Sequence, residues 1–207
     1  MLRTLSFGLG LLLFATMAVA DDPKDKPKSD PPGAVLEARI VLNKDTYALN
    51  LGGKTADEFR KAVKEAETKG GAAPGVPPEV DIVVELRNTS EQDIKIWVEG
   101  DNTELILDLK GPGAASYTQD IPIGRATIPS KVITIAAGKT HTLPLKSLQT
   151  GTSNIRIQRT YWTETGEYTL VARYRTAIAP APKGAKDAGD ALGHVVVSSA
   201  PVKIQVK

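Results

Sequence analysis

Two histidines, His141 and His194, and a complete lack of cysteine narrow the metal and covalent chemistry open to this chain. A zinc site usually draws on about three or four closely spaced imidazole, thiolate or carboxylate ligands. His141 stands beside the turn Ala137-Gly138-Lys139, and His194 ends a stretch rich in alanine, proline, glycine and lysine. Both read as solvated imidazoles. Both methionines fall in the first twenty residues, which leaves no thioether elsewhere for copper. Glu99, Asp101, Asn102, Glu104 and Asp108 crowd oxygens around one turn. Calcium needs roughly six to eight oxygens converging on a point, and this spacing matches no calcium loop. Acids at a strand turn are ordinarily just solvated.

Nucleophilic chemistry fares no better. No serine occupies a Gly-x-Ser-x-Gly elbow, and neither histidine is placed as a triad base. Ser198-Ser199 read as strand residues at a kink before Pro201. Carboxylate pairs for glycoside hydrolysis are defined in space, so the abundance of acids decides nothing. Asn88-Thr89-Ser90 is a formal glycosylation sequon but reads as the polar end of a strand. Gly111-Pro112-Gly113 lacks the lysine and the strand–loop–helix setting of a phosphate cradle, so it reads as a turn. No catalytic, cofactor-binding or metal-binding residue is assigned, and a non-enzymatic protein is expected.

One patch has binding chemistry. Arg156, Arg159, Tyr161 and Trp162 combine rings with hydrogen-bond donors, as in protein hot spots and sugar-stacking surfaces. They are the candidate partner-binding residues. The competing reading has Trp162 plugging the end of a core while the arginines are solvated.

The elements that must position these residues begin after a leader. Arg3, the apolar run from Leu5 to Val19 and the small-x-small Ala18-Val19-Ala20 spell an export signal cleaved at about Ala20. Residues 21–33, charged and proline-rich, read as a disordered tether. Without Arg3 the balance is 25 basic against 24 acidic residues. Such a balance argues against a nucleic-acid partner. No later segment approaches membrane length, so no stable membrane insertion is expected once the signal is cleaved. The expected location is periplasmic or extracellular.

From Val35 onward the pattern is of period two. Leu36, Ala38, Ile40 and Leu42 alternate with polar residues, as do Val80 to Leu86, Ile94 to Val98 and Leu105 to Leu109. Thr55 with Glu58 makes a capping box, and Ala56, Phe59, Ala62, Val63 and Ala66 share one face of a helix over about 56–69, closed by Gly70-Gly71. It is expected across a sheet edge or sandwich end, anchored by Phe59. Residues 111–131 read as a long connection, 132–145 as a hairpin, and about 177–194 as a mobile loop. Val195–Ser198 and Val202–Val206 close the fold, with Pro201 at a bulge or edge. Many short strands and one helix predict an antiparallel sandwich in a single domain over 34–207.

Glu164-Thr165-Gly166-Glu167-Tyr168-Thr169-Leu170 resembles the acid-x-Gly-x-Tyr-x-Cys signature of immunoglobulin-like domains, with Leu170 in the cysteine position. Together with Leu86 to Ser90, Ala137-Gly138-Lys139 and Tyr161 to Leu170, it looks like exported bacterial immunoglobulin-like sandwich proteins. It is also distantly similar to bacterial intracellular proteinase-inhibitor domains. The resemblance implies an immunoglobulin-like sandwich with one helical insertion and a corner built from Glu164, Gly166 and Tyr168. Tyr168 should bury its ring and return its hydroxyl to an upstream backbone group. Trp97 sits near the family's core tryptophan, but its parity opposes Ile96 and Val98. The expected function is an exported binding or structural module, contacting an unknown protein or surface polysaccharide through the 111–131 and 177–194 loops. An inhibitor of an exported hydrolase and a carbohydrate-binding module are the alternatives.

Overall fold

The structure is a computed structural model that describes residues 35–69, 74–120, 128–152 and 156–207. The export signal, the tether and the Gly70-Gly71 helix stop lie outside the described residues. In chain order the elements are β1 (Leu36–Leu42), β2 (Thr46–Tyr47), α1 (Ala56–Lys69), β3 (Glu79–Asn88), β4 (Ile94–Trp97), β5 (Glu104–Lys110) and β6 (Ala114–Asp120). There follow β7 (Val132–Ile135), β8 (Thr140–Ser147), β9 (Gln149–Thr152), β10 (Arg156–Trp162) and β11 (Gly166–Ala179). The chain closes with β12 (Lys186–Gly189), β13 (Leu192–Ser198) and β14 (Val202–Val206).

Strand alternation sorts the chain into two sheets. One has the order β1-β3-β8. The other is built round β11, which pairs with β13 and β14 on one edge and with β4 and β5 on the other. Ala38, Ile40, Ile82, Val84 and Leu86 from the first sheet meet Leu107, Leu170, Ala172, Tyr174, Ile204 and Val206 from the second. This is the alternating burial that the period-two runs predict. Buried Asn88 ties the rim of this core. Its Nδ2 donates to the carbonyls of Gln92 (2.7 Å) and Ile135 (2.9 Å), while its Oδ1 accepts from the N–H (3.0 Å) and hydroxyl (2.7 Å) of Ser90. With 0% exposure and its amide fully engaged, Asn88 is a strand end and offers no nitrogen to a glycan.

Several connections differ from the sequence expectation. Residues 132–145 are not a hairpin: β7 pairs with β4 and β8 with β3, so the Ala136–Lys139 turn carries the chain between sheets. Part of the expected 111–131 connection is a strand, β6, whose alternation is masked by the small residues Ala114, Ala115 and Ser116. The 177–194 stretch is not one loop. Strand β11 continues to Ala179, and β12 with β13 forms a hairpin beside it. Its small residues reflect close packing: a Cβ on Gly193 would stand 2.7 Å from that of Ala185. Pro201 does mark a bulge. Val171 and Ala172 face three residues, 199–201, and Ser199 repairs the ladder through its backbone and hydroxyl, both bonded to Ala172.

Helix α1 begins at the capping box, where Thr55 N–H donates to Glu58 (2.9 Å) and Glu58 N–H to the Thr55 hydroxyl (3.3 Å). It lies over the outer face of the β6–β10 ribbon, where Phe59, Val63 and Ala66 close a second small core with Tyr117 and Tyr161. Two adjacent strand residues point to opposite faces. Here Trp162 enters the main core and Tyr161 the helix-covered one.

Candidate binding cleft

The corner places the floor of the site. Tyr168 is 0% exposed, and its hydroxyl, with a single proton, reaches the carbonyls of Glu164 (2.8 Å) and Pro112. Burial of the ring raises the hydroxyl's pKa above the ordinary tyrosine value. The Gly111-Pro112-Gly113 turn is thus the receiving half of the corner. At Gly113 (φ 60°) a side chain would run into Thr163 and Arg60. Arg60 on α1 ion-pairs with Glu164 and with Asp57 (2.6 Å), tying the helix to the corner.

From Tyr168 an aromatic series leads outward, to Trp162 at 6.3 Å between centroids and on to Tyr47 at 5.4 Å. Tyr47 is itself clamped: its hydroxyl donates to the Lys44 carbonyl (2.6 Å) and accepts from the Asp81 N–H (3.2 Å). Above Tyr47 and Trp162 opens a cleft of about 490 Å³, lined also by Lys44, Ala48, Asn50, Pro77, Pro78 and Glu79. It shares Asn50 and Val76 with a second hollow of about 220 Å³ that reaches Leu51, Lys54, Phe59 and Pro74. The two hollows adjoin at these residues. Their wall is stiffened by prolines and held by Tyr161, whose hydroxyl donates to the Gly75 carbonyl (3.2 Å). Lys54 Nζ donates to the Pro74 carbonyl (3.2 Å). At the lip stands Val76, 85% exposed.

The four expected contact residues therefore separate. Tyr161 (1% exposed) and Trp162 (2% exposed) are strut and floor, and neither ring face is open to a ligand. Arg156 pairs with Asp120 (2.9 Å) and approaches Glu104 (3.9 Å). Arg159 lies elsewhere on the ribbon, among Tyr117, Gln119 and Gln149. Trp97 faces outward, as its parity implied, edge-on to His194 (5.7 Å). The acids of the 99–108 turn disperse into ion pairs: Glu99 with Lys131 (3.3 Å), Glu104 with Arg175 (3.2 Å), and Asp108 with Arg173 (2.6 Å). Among the described residues no group of three or more His, Cys, Asp or Glu could hold a metal ion. The sequence reading missed Lys44, Tyr47 and Val76 as site residues. The usable signal was a lone valine amid Pro74-Gly75-Val76-Pro77-Pro78, an apolar side chain on a stiff, strand-free segment.

These features define an all-β, immunoglobulin-like antiparallel sandwich with one helix inserted near its N-terminus. Among solved structures it aligns with the ASH / PapD-like domain of human CEP192 (PapD-like domain 7). The match covers 92% of this chain and 96% of that one, at 13% identity and a TM-score of 0.25. No family model matches the chain, and no curated protein matches it significantly. Among the described residues no helix is long and apolar enough to cross a membrane.

Proposed function

We propose that this protein is an exported, non-enzymatic binding module that holds a segment of a partner protein in the Tyr47–Trp162 cleft. The observation that carries the reading is the pairing of a proline-walled cleft with an uncovered Val76 at its lip. Proline-stiffened walls and clamped tyrosines keep the cleft formed before a ligand arrives, which lowers the ordering cost of binding. A protein segment suits it better than a sugar. Sugar stacking needs open ring faces, and Tyr47 and Trp162 are 5% and 2% exposed. Polar anchors for a peptide are present at Lys44, Asn50 and Glu79. Export rests on the leader over residues 1–20. The inhibitor alternative needs one loop free to enter an active site, and the two long stretches expected to carry contacts, 111–131 and 177–194, contain β6, β12 and β13.

Immobilised protein should capture a partner from the exported fraction, and Ala48→Arg, which fills the cleft, should lose it while keeping the wild-type melting curve. Equal capture by Ala48→Arg would remove the cleft from the account.

A further inference from the structure

Among the described arginines, Arg39 and Arg87 are exposed, whereas Arg159 is half-buried. Arg60, Arg156, Arg173 and Arg175 each have a carboxylate within ion-pair distance. Arg159 is half-buried and has none among the described residues. Neutral acceptors hold it instead: Nε donates to Gln149 Oε1 (3.1 Å), and Nη1 donates to Gln119 Oε1 (3.1 Å) and to the Tyr117 hydroxyl (3.3 Å). The Tyr117 hydroxyl in turn donates to Gln119 Oε1 (3.0 Å), and the guanidinium carbon lies 5.7 Å from the centre of the Tyr117 ring.

The hydrogen-bond roles leave a one-sided surplus. Both glutamines turn their oxygens toward Arg159, so their Nε2 amino groups point away, and no acceptor for either appears among the described residues. Arg159 Nη2 likewise has no acceptor there. Among the described residues, the open valences of Arg159, Gln119 and Gln149 are thus N–H donors around a guanidinium with no carboxylate partner. A complementary group must be negative and accept without donating. Gln149 is exposed, so the cluster can be reached from solvent.

We infer that Arg159, Gln119 and Gln149 form a recognition site for a carboxylate presented by a partner, separate from the cleft. Arginine matches carboxylate geometry through its planar fork, and its position is fixed in advance by three strands, β6, β9 and β10.

The test is an NMR titration of the ¹⁵N-labelled full chain, following the arginine side-chain signals. One arm uses the dipeptide glutamyl-glutamate with both ends blocked, the other sodium glucuronate, at matched ionic strength. The site predicts a saturable shift of the Arg159 signal, with Arg39 and Arg87 unmoved. Gln149→Glu keeps an acceptor for Arg159 Nε but removes the Nε2 donor and sets a carboxylate against the guanidinium, and should weaken binding by about tenfold or more, the worth of one charge-assisted hydrogen bond. A response to the dipeptide alone assigns the carboxylate to a protein, and a response to glucuronate alone assigns it to an acidic polysaccharide. No saturable shift in either arm, or equal shifts at Arg39 and Arg87, would overturn the site.

Discussion

Gln158 offers a sharp test of the physical account, because its side chain does the work of a missing strand. The edge of β5 opposite β11 runs past β10 without regular pairing at Leu107. There the Gln158 amide closes the gap: Leu107 N–H donates to Oε1 (3.0 Å) and Nε2 donates to the Leu107 carbonyl (3.2 Å). The Thr150 hydroxyl steadies the amide with a third bond to Oε1 (3.2 Å). Leu107 is 1% exposed, so water has poor access to these groups. Gln158→Leu leaves two buried backbone groups unpaired, at about 1–3 kcal/mol each, and a total loss of roughly 3 kcal/mol is expected.

Urea unfolding measures that loss, and amide exchange at Leu107 reports its location. Gln158→Glu adds a pH signature. Only the protonated carboxyl can donate to the Leu107 carbonyl, so folding raises the carboxyl pKa. The contribution is therefore complete below the unfolded value of about 4.3 and is lost as pH rises through the folded one. Gln158→Glu should accordingly lie closer to wild type at pH 4 than at pH 7. A loss under about 0.5 kcal/mol for Gln158→Leu, the range of ordinary surface changes, would refute the reasoning.

Other outcomes follow from the same structure. Tyr168→Phe removes the hydroxyl from the Glu164 and Pro112 carbonyls and should cost about 1 kcal/mol in a denaturant melt, with an unchanged midpoint meaning that the corner bond is idle. Ala191 sits at φ 60° in the turn between β12 and β13, where an L side chain is strained by about 1–2 kcal/mol. Ala191→Gly should raise the melting temperature, since the strain relieved exceeds the added chain entropy of about 0.4–1 kcal/mol. Burial pushes the hydroxyls of Tyr161 and Tyr174 from 10.0 up to about 12. Folding thus favours their neutral forms, and the stability they contribute is complete below pH 10 and falls away between pH 10 and 12. Phenolate absorbance should show Tyr161 and Tyr174 titrating late while the chain is folded, together with Tyr47 and Tyr168, whose burial also raises their pKa, and complete ionisation of the folded chain near pH 10 would contradict their burial.

What could be read from the chain divides along physical lines. Strands with one buried face were legible because Leu36 to Leu42 and Val80 to Leu86 alternate cleanly. The helix was legible from Thr55 and Glu58, whose reciprocal bonds are local. The corner was legible because Tyr168 and Glu164 are close in sequence, though its other half at Pro112 was not. Tyr161 and Trp162 misled because alternation normally exposes one of two neighbours, whereas α1 covers the second face. The 177–194 stretch misled because alanine and glycine served close packing between strands. The cleft was invisible because it joins segments far apart in the chain, such as Tyr47, Val76 and Trp162, and no local pattern encodes their meeting.

The most direct test of the cleft's role is photo-crosslinking in the producing cells, with a benzophenone side chain at position 76 and a control at exposed Arg87. A partner segment held in the cleft gives one discrete protein adduct from position 76, absent at position 87 and abolished by Ala48→Arg. No adduct at 76, or the same adducts from both positions, would contradict it.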